Sequence, residues 1–478
     1  MKVYQQYING EFRDAESKEQ FEVLNPFTEK VIAMAPKGGA RDAALALEAA
    51  SSAQKSWAAK SCIERAGYLK KMAEIIRANR DMLAQTLAEE QAKILPLAQV
   101  EIDATAEYFD YYAGWARKYE GEVIQSDNPK ENILLYRQPI GVVVGVCPWN
   151  FPFFVMARKV APSLLTGCTI VLKPSSETPN TTFEFAKLIS SIGLPKGVLN
   201  FVSGGGSTLG DALVRSPQVG LVTLTGSVET GQRIISASAE NITKTSLELG
   251  GKAPVIICAD CDMDMAVKAV VDSRIIFSGQ VCNCAERVYV EAEVYDEFMG
   301  KLTKAMSDVT YGDPFADPAP CMSSQINKSQ LIKIEEMVAK AKAQGAEVVV
   351  GGARGDDQPT GFFYKPTLLA NCTQDMEIIR NEIFGPVLPV VKVANFDEAL
   401  DLSNDCEFGL TSSVFTTNIT KMMRAINELK FGETYVNRSH FEAIQGFHAG
   451  WRKSGIGGAD GKHGLFEYLQ THVAYIQY

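Results

Sequence analysis

The chain has 478 residues, about three times the length of a typical domain, so we expect two or three domains. Apolar residues make up 46% of it and charged residues 22%, which excludes a disordered, collagen-like or coiled-coil protein. Its net charge of −10 and its scattered basic residues disfavour binding to nucleic acid or to an anionic membrane.

The cysteines and the apolar segments indicate a reducing compartment and no membrane span. Ten cysteines are too widely spread for a disulfide scaffold, and the pair Cys258-x-x-Cys261 lacks a second pair that would complete a zinc site. The apolar run 141–157 is interrupted by prolines and ends at Arg158–Lys159, short of the roughly 20 residues of a membrane helix. The N-terminal residues contain no apolar core of signal-peptide length. We therefore expect a cytoplasmic protein with no bound metal and no membrane partner.

The N-terminal part predicts a β-hairpin followed by long helices. The dipeptide Asn9–Gly10 is a hairpin turn between strand-like flanks. Helical patterns follow at about 40–57, 62–94 and 100–119. The third pattern carries an aromatic stripe, which is more typical of a packing face or a subunit contact than of a ligand site. The members of the stripe are Tyr108, Tyr112, Trp115 and Tyr119.

Between residues 141 and 258 the pattern changes to short apolar strands separated by helices. The strand segments are GVVVGV, TIVLK, VLNFV, LVTLT and PVIIC, with helical segments such as FFVMARKVAPSLL between them. Near-continuous apolar strands that alternate with helices predict a parallel sheet covered on both faces. Ligands of such sheets bind beyond the carboxyl ends of the strands.

A second α/β region is predicted after about residue 260. The expected helices lie near 262–277, 295–309, 327–344, 397–404 and 419–429. The expected strands lie near 287–291, 346–350, 387–393 and 411–416. The final segment, LFEYLQTHVAYIQY, reads as a strand that is apolar on both faces, so we expect it to pair with another segment or subunit.

Two glycine-rich turns, at 204–210 and 226–231, each follow a strand and open a helix. Glycine lets the backbone approach a phosphate, and the helix N-terminus offers unpaired N–H groups. Neither turn has the spacing G-x-G-x-x-G, and no acidic residue stands where it would bind ribose, so tight turns without ligands are at least as favoured. Lys173, at the end of TIVLK, is either a ribose-binding ammonium or an ordinary surface lysine.

Three polar residues at the ends of strands or helices carry the candidate chemistry. Cys282 lies in SGQVCNCAERV among small and polar neighbours, although most cysteines are inert core residues. Glu248 lies in an apolar strand before two glycines, where a purely structural carboxylate is costly. Asn150 ends another apolar strand, and a buried amide needs hydrogen-bond partners. Beside the presumed phosphate turns, these residues predict a thiol enzyme that uses a dinucleotide.

Six motifs along the chain together resemble the aldehyde dehydrogenase superfamily. They match in order and span essentially the whole sequence, which makes them far more specific than any one motif. The motifs are PWNFP at 148–152, LKPSSETP at 172–179, TGS at 225–227, LELGGK at 247–252, GQVC at 279–282 and EIFGPV at 382–387.

The resemblance implies an α/β fold with two doubly wound domains and a small β oligomerisation element. One domain is a Rossmann-like, dinucleotide-binding domain and the other is catalytic. The implied boundaries are 1–121 and 141–249 for the dinucleotide-binding domain, 250–450 for the catalytic domain, and 122–140 with 451–478 for the oligomerisation element. The resemblance also implies a homo-oligomer, a dimer of dimers.

The same resemblance implies roles for the three reactive residues. Cys282 is the nucleophile that forms a thiohemiacetal with the aldehyde, and the Asn150 amide and the Cys282 backbone N–H hold the oxyanion. Loss of a hydride leaves a thioester, and Glu248 activates the water that hydrolyses it. Because branches that pass the acyl group to coenzyme A lack this base, Glu248 favours a free acid as product.

The implied cofactor is NAD. Relatives that prefer NAD commonly carry Glu at the position of Ser176, where a carboxylate repels a 2′-phosphate, so we expect that NADP is tolerated as well. MSSQIN at 322–327 also departs from the family, which usually has a Gly-Pro-Leu turn there. The residues implied to bind the cofactor are Trp149, Lys173, Ser176, Gly226, Ser227, Gly231, Leu249, Glu382 and Phe384.

The segments RKVAP at 158–162 and 441–465 resemble the branch that acts on lactaldehyde and glycolaldehyde. In that branch Arg158, Glu442 and His448 would form a polar pocket for small 2-hydroxyaldehydes. Arg158 could equally bind a terminal carboxylate, so succinate semialdehyde or a broad range of aldehydes is the alternative substrate.

Two hypotheses from other functional classes, a binding protein and a hydrolase, are less favoured by the sequence. A non-catalytic binding protein on this scaffold would not need Cys282, Glu248 and Asn150 together. A cofactor-free cysteine hydrolase is disfavoured because no histidine lies in the first 439 residues.

Overall fold

The computed structural model describes all residues, Met1–Tyr478, as an α/β protein with two large sheets and two small ones. The strands are β1 (Lys2–Val3), β2 (Gln6–Ile8), β3 (Glu11–Arg13), β4 (Gln20–Leu24), β5 (Val31–Pro36), β6 (Glu122–Gln125), β7 (Glu131–Pro139), β8 (Val142–Val146), β9 (Thr169–Lys173), β10 (Leu199–Phe201), β11 (Val219–Thr225), β12 (Lys244–Glu248), β13 (Pro254–Ile257), β14 (Arg287–Glu291), β15 (Glu347–Val350), β16 (Thr367–Ala370), β17 (Val387–Val393), β18 (Thr411–Phe415), β19 (Glu433–Val436), β20 (Gly455–Ile456) and β21 (Leu469–Gln477).

The helices confirm most of the expected helical segments. The long pattern at 62–94 is divided at Asn79, whose side-chain amide donates to the Ile75 carbonyl, so that two helices form in place of one. The helices are α1 (Ala40–Ala58), α2 (Cys62–Ala78), α3 (Arg80–Gln91), α4 (Leu95–Ala113), α5 (Pro152–Thr166), α6 (Asn180–Ile189), α7 (Asp211–Val214), α8 (Val228–Ser238), α9 (Met263–Ile275), α10 (Tyr295–Ser307), α11 (Lys328–Ala343), α12 (Glu377–Arg380), α13 (Phe396–Asn404), α14 (Ile419–Glu428) and α15 (Gly461–Phe466).

The first large sheet has the order β20-β12-β11-β8-β9-β10-β2-β3, and β8 to β12 are parallel. Its strands are apolar on both faces because both faces are covered. In β8, Val143 packs into one hydrophobic core, whereas Val142 and Val144 pack into a second core on the opposite face. The prediction of a parallel sheet buried on both faces is confirmed.

The second large sheet has the order β15-β16-β17-β14-β13-β18-β19 and is parallel except for β15. Its interior strand β13 comes from the PVIIC segment, which the sequence pattern groups with the strands of the first sheet. The composition of β13 does not show which sheet it joins, because β13 is as apolar and as buried as the strands before it. Here too the side chains alternate between two cores, with Ile256 on one face and Val255 and Ile257 on the other.

The C-terminal segment divides differently from the prediction. Residues 461–466 form helix α15, and only β21 is a strand. As expected, β21 pairs with another segment, because it lies antiparallel to β7, which in turn pairs with β6. β20 pairs with β12 at the edge of the first sheet. The domain boundaries stay a prediction. None of the helices is both long and apolar enough to cross a membrane.

Candidate active site

Two cavities meet at the carboxyl ends of β8, β11 and β12, where a loop from the second half of the chain closes over them. Asn150, Thr225 and Cys282 line both cavities, so these three residues form the boundary between them. The thiol predicted to react is therefore accessible from two sides. We refer to the cavity that contains the ends of the first sheet and Glu382 as the cofactor cleft, and to the other as the aldehyde cavity.

The loop that carries Cys282 has a strained backbone. Phe277, Ser278 and Gly279 have positive φ values of 43°, 55° and 76°, and the left-handed region is costly for the two residues with side chains. The Ser278 hydroxyl donates to the Ser323 carbonyl at 2.7 Å and accepts from the Ser323 N–H at 3.2 Å. The MSSQIN segment that departs from the family pattern thus braces the loop of the nucleophile.

Asn150 is buried and held from both sides. Its side-chain amide donates to the Gln280 carbonyl at 3.0 Å, which directs it toward the Cys282 loop. Its backbone carbonyl accepts from Gln91 at 2.8 Å and from the Lys93 ammonium at 2.7 Å. These hydrogen bonds to the Asn150 carbonyl were not predicted. The sequence signal that could have indicated them is the presence of polar residues within the partly apolar stretch EEQAKILPLAQVEI.

Lys93 has its own buried partner. Its ammonium lies 2.5 Å from a Glu101 carboxylate oxygen, and both side chains are fully buried. The other Glu101 oxygen accepts from the N–H groups of Phe153 and Phe154 in the first turn of α5. Because helix N-termini favour negative charge, Glu101 ties the Asn150 turn to the helix that carries Arg158.

Glu248 ends β12, and its carboxylate is buried without a hydrogen-bond partner for either oxygen. Burial raises its pKa to about 8. Its Oε2 lies 3.7 Å from His448 Nε2. A buried carboxylate without a hydrogen-bond partner, on the same cavity wall as Cys282, is placed to accept a proton.

Six of the nine predicted cofactor residues line the cofactor cleft: Trp149, Gly226, Ser227, Leu249, Glu382 and Phe384. Ser227 is the N-cap of α8 and accepts from the Thr230 N–H, while the earlier N–H groups of the helix stay available to an anion. Glu382 accepts from the Gly251 N–H at 2.8 Å. The Trp149 and Phe384 rings meet edge to face at the same wall.

The other three predicted cofactor residues lie off this lining. Gly231 is buried under Leu249, because a Cβ at Gly231 would lie 2.7 Å from a Leu249 methyl group, so its contribution is packing. Ser176 is exposed next to Ser175, which does line the cleft. Lys173 is not an ordinary surface lysine, since it is buried and its ammonium reaches only the Pro174 carbonyl at 3.4 Å. The glycine turn at 204–210, a single turn of π-helix, also lies off the lining.

The donor set of the cleft fits a nicotinamide dinucleotide. A buried ammonium without an anionic partner, helix N–H groups at Ser227 and a carboxylate at Glu382 can meet ribose hydroxyls and phosphates. No group of three or more His, Cys, Asp or Glu side chains is placed to hold a metal ion.

In the aldehyde cavity, the Arg158 guanidinium is already engaged by two carboxylates. It donates to both oxygens of Asp460, at 3.0 and 2.5 Å, and to Glu442 at 2.7 Å. Burial works to raise the pKa of Glu442, but the charges of Arg158 and His448 bring it down to about 2. Asn283 donates to the other Glu442 oxygen. Asp460 was missed, since nothing local to its sequence position indicates a partner so distant along the chain.

Two members of the aromatic stripe, Tyr108 and Tyr112, lie in the hydrophobic core, whereas Trp115 and Tyr119 are partly buried and pack against it. Tyr108 and Tyr112 are fully buried and pack against each other. Tyr108 also donates its hydroxyl to Asp460 at 2.8 Å, so the packing face fixes the carboxylate that holds Arg158. The remainder of the cavity wall is largely apolar and includes Leu97, Val100, Phe151, Phe154, Phe441 and Ile444.

His448 is buried and is not among the residues that line the aldehyde cavity. Its Nδ1 forms a hydrogen bond with Glu433 at 2.5 Å, and its Nε2 lies 3.7 Å from Glu248 Oε2. That His448 contacts the substrate stays a prediction.

Comparisons with known proteins agree along the whole chain. The profile described as Aldehyde dehydrogenase family matches residues 12–474. The lactaldehyde dehydrogenase of Escherichia coli (strain K12) is 52% identical, over 98% of this chain and 98% of that protein. The crystal structure of the Escherichia coli lactaldehyde dehydrogenase has a TM-score of 0.98 and covers 100% of both chains.

Two further solved structures contain nicotinamide cofactors. The 3,6-anhydro-L-galactose dehydrogenase in complex with NAP is 44% identical, has a TM-score of 0.97, and covers 99% of this chain and 100% of that chain. The betaine aldehyde dehydrogenase of Staphylococcus aureus in complex with NAD+ is 36% identical, has a TM-score of 0.97, and covers 99% and 95%. The chain therefore belongs to the aldehyde dehydrogenase family, whose members are nicotinamide-dependent oxidoreductases of aldehydes.

Proposed function

We propose that this chain oxidises small, uncharged 2-hydroxyaldehydes such as lactaldehyde and glycolaldehyde to their acids. The observation that carries the proposal is the charge balance of the aldehyde cavity, where one guanidinium is shared by Asp460 and Glu442. The similarity to lactaldehyde dehydrogenase supports the same substrate class.

The chemistry begins at Cys282. Its thiolate attacks the carbonyl carbon, a C–S bond forms, and the carbonyl electron pair moves to oxygen. The Asn150 amide, fixed by Gln91 and Lys93, donates to that oxygen at no further cost in reorganisation. When bound, a nicotinamide ring supplies the acceptor for the hydride that leaves the thiohemiacetal carbon. The residues that would hold this cofactor are Trp149, Lys173, Gly226, Ser227, Leu249, Glu382 and Phe384.

Hydrolysis follows at Glu248. In its ionised form the carboxylate takes a proton from water while the water oxygen attacks the thioester carbon. The C–S bond breaks, the electron pair returns to sulfur, and the acid leaves. Because neither Glu248 oxygen has a hydrogen-bond partner, the carboxylate has acceptor sites available for this water.

The charge balance disfavours succinate semialdehyde. Arg158 would have to release Asp460 or Glu442 before it could bind a terminal carboxylate, which leaves a buried charge unpaired. A neutral hydroxyl can instead accept from the Arg158 N–H groups or donate to Glu442 while the ion pairs stay intact.

We expect Glu442→Gln to raise kcat/KM for succinate semialdehyde by about tenfold, since it removes one of the two carboxylates that oppose an anionic substrate. Steady-state kinetics with lactaldehyde and succinate semialdehyde, each on both forms, measures the change. Glu89→Gln, an exchange of the same type on α3, is the matched control. A native enzyme that already oxidises succinate semialdehyde better than lactaldehyde contradicts the proposed substrate.

We propose NAD as the main cofactor, with NADP also accepted. Ser176 is exposed beside the cleft and brings no negative charge against a 2′-phosphate. We expect Ser176→Glu to lower kcat/KM for NADP at least about tenfold and to change that for NAD little, because carboxylate and phosphate repel each other. Rates with both cofactors measure this. An unchanged NADP rate in the variant would remove Ser176 from cofactor selection.

We propose that the sheet of β6, β7 and β21 joins subunits in a homo-oligomer. Ile124, Ile133 and Tyr475 lie opposite one another in its register, and Ile124 and Tyr475 are exposed. We expect the double variant Ile124→Lys/Tyr475→Lys to sediment as a smaller species, because buried lysines oppose association. Ile419→Lys, at an exposed position on α14, is the control and should sediment like the unaltered protein.

We also propose a cytoplasmic location. All ten cysteines are unpaired. Unpaired thiols persist in reducing compartments, where a catalytic thiol also stays active.

A further inference from the structure

The side chain of Glu286 is buried and lines neither cavity. It follows the loop that carries Cys282, residues 277–285, which we call the nucleophile loop. A second loop, residues 382–385, carries two of the side chains on the wall of the cofactor cleft, and we call it the cofactor loop. The Glu286 carboxylate contacts the cofactor loop directly and the nucleophile loop through Arg274, and no step of the proposed chemistry uses it.

The cofactor loop is held from two sides. Glu286 Oε2 accepts from the Ile383 N–H at 3.0 Å, and Oε1 accepts from the Phe384 N–H at 3.1 Å. Gln330 donates to the carbonyls of the same two residues, at 3.2 and 2.7 Å. Phe384 has a φ of 56°, a conformation that is costly for a residue with a side chain, so the loop depends on these outside contacts to keep its shape.

The nucleophile loop is reached through Arg274. This fully buried guanidinium donates to Glu286 Oε1 at 2.9 Å and also to the carbonyls of Gly279 and Ala285. The two loops touch directly as well, because a Cβ at Gly279 would lie 2.2 Å from the Gly385 carbonyl oxygen. One carboxylate therefore ties a wall of the cofactor cleft to the backbone that carries the thiol.

The negative charge of Glu286 is balanced inside the protein. The Lys252 ammonium lies 2.8 Å from Oε2, and Lys252 and Arg274 are both fully buried. Burial would raise the pKa of Glu286, but these two charges and the Ile383 N–H bring it down to about 2, so the group is ionised at neutral pH. An ionised carboxylate has acceptor sites for Lys252, Arg274 and both loop N–H groups at once, whereas an amide has not.

Glu382 connects this arrangement to the reacting end of the cofactor. Its carboxylate accepts from the Gly251 N–H at 2.8 Å, and a Cβ at Gly251 would lie 2.6 Å from the Cys282 carbonyl oxygen. Because hydride leaves a carbon bonded to the Cys282 sulfur, the nicotinamide end of the cofactor has to meet the cleft here. The helix N–H groups at Ser227, which suit a phosphate, share no hydrogen bond with Glu286.

We propose that Glu286 is a positioning residue for the nicotinamide end of the cofactor: it holds the cofactor loop so that Glu382 and Phe384 line the cleft, while Arg274 holds the nucleophile loop beside them. This inference rests on the proposed function and its cofactor. Because Glu286 lies outside both cavities, its effect passes through the side chains of the cofactor loop. Its loss should therefore weaken binding of the whole dinucleotide and leave binding of the adenosine diphosphate half unchanged.

Binding of NADH and of ADP, each measured without aldehyde, tests this proposal. The dissociation constant for NADH follows from its fluorescence and that for ADP from calorimetry, so neither depends on turnover. We expect Glu286→Gln to raise the constant for NADH at least about tenfold, because the amide nitrogen faces N–H donors and leaves the cofactor loop unsatisfied. The constant for ADP should stay within about twofold of the native value.

Glu291→Gln is the matched control. Glu291, at the end of β14, is also a buried carboxylate, and it accepts from the Lys421 ammonium at 2.9 Å and from the Ala259 N–H at 2.6 Å. It lines neither cavity. The exchange therefore removes the same kind of group, and NADH should bind to this variant as it binds to the unaltered protein.

An NADH constant within about twofold of the native value in folded Glu286→Gln overturns the proposal. Equal weakening of NADH and ADP overturns it as well, since a general loss of structure has that result. If Glu286→Gln does not fold, Glu286→Gln/Lys252→Met takes its place, because loss of one negative and one positive charge keeps the buried net charge, and the same outcomes decide. Failure of the proposed function would appear in the native protein, as NADH binding without oxidation of lactaldehyde.

Discussion

Replacement of Cys282 by serine should lower kcat for aldehyde oxidation at least about a thousandfold. A serine hydroxyl ionises far less readily than a thiol, so the covalent adduct from which hydride leaves does not accumulate. Cys282 is the only cysteine that lines both cavities, and Cys147 lines the cofactor cleft alone. Stopped-flow measurement of NADH formation gives both the first turnover and the steady rate. We expect both to be lost, since the step removed precedes hydride transfer.

Cys284→Ser is the matched control for this experiment. Cys284 lies two positions further along the same loop, but it is buried, and its Sγ contacts the Val281 carbonyl at 2.9 Å. A serine there can keep that contact, so activity should stay within a few fold of the native rate. A Cys282→Ser enzyme that retains a tenth of the native rate would show that the thiol is not the nucleophile.

Sequence patterns could locate the catalytic residues because each stands out against its own neighbours. Asn150 and Glu248 are polar groups at the ends of apolar strands, and parallel strands end at one edge of a sheet. Local chemistry and the fold therefore indicate one place, and in the structure Asn150 and Glu248 line the same cavity as Cys282.

The partners of these residues could not be predicted in the same way. Asp460 and Arg158 are paired across 302 positions of the chain, and no periodicity links them. Glu433 and His448 lie in a strand and a loop whose sequences carry no signal of the hydrogen bond between them. Their contacts depend on how the second sheet packs against the first. This same packing decides that β13 lies in the second sheet, although its composition suits either.

The segment MSSQIN shows a second limit of prediction from sequence. Its departure from the family pattern was visible in the sequence, but its meaning was not, because Ser323 contacts a loop 45 positions away. What it braces is a strained backbone at Phe277 and Ser278, and strain is a property of the folded loop.

Replacement of Glu248 by glutamine should lower kcat by about 10²- to 10⁴-fold and leave the first turnover almost intact. Glutamine has nearly the shape of glutamate but cannot accept a proton from water, so the thioester forms and then persists. The expected result is a burst of NADH close to one equivalent per active site, followed by a slow phase. Hydroxylamine, which cleaves thioesters, should speed that slow phase. Loss of the burst itself would instead place Glu248 before hydride transfer.

The pH dependence of the slow phase provides the sharper test of the same base. Burial raises the pKa of Glu248 to about 8, and only the ionised carboxylate activates water. In the native enzyme the thioester-hydrolysis rate should therefore rise with pH up to about 8 and level off above it. Below that point it should fall about tenfold per pH unit. In Glu248→Gln this dependence should disappear, and what remains should follow hydroxide concentration alone. A native profile that is flat between pH 6 and 8 would mean that the carboxylate is already ionised throughout, and that another group limits hydrolysis.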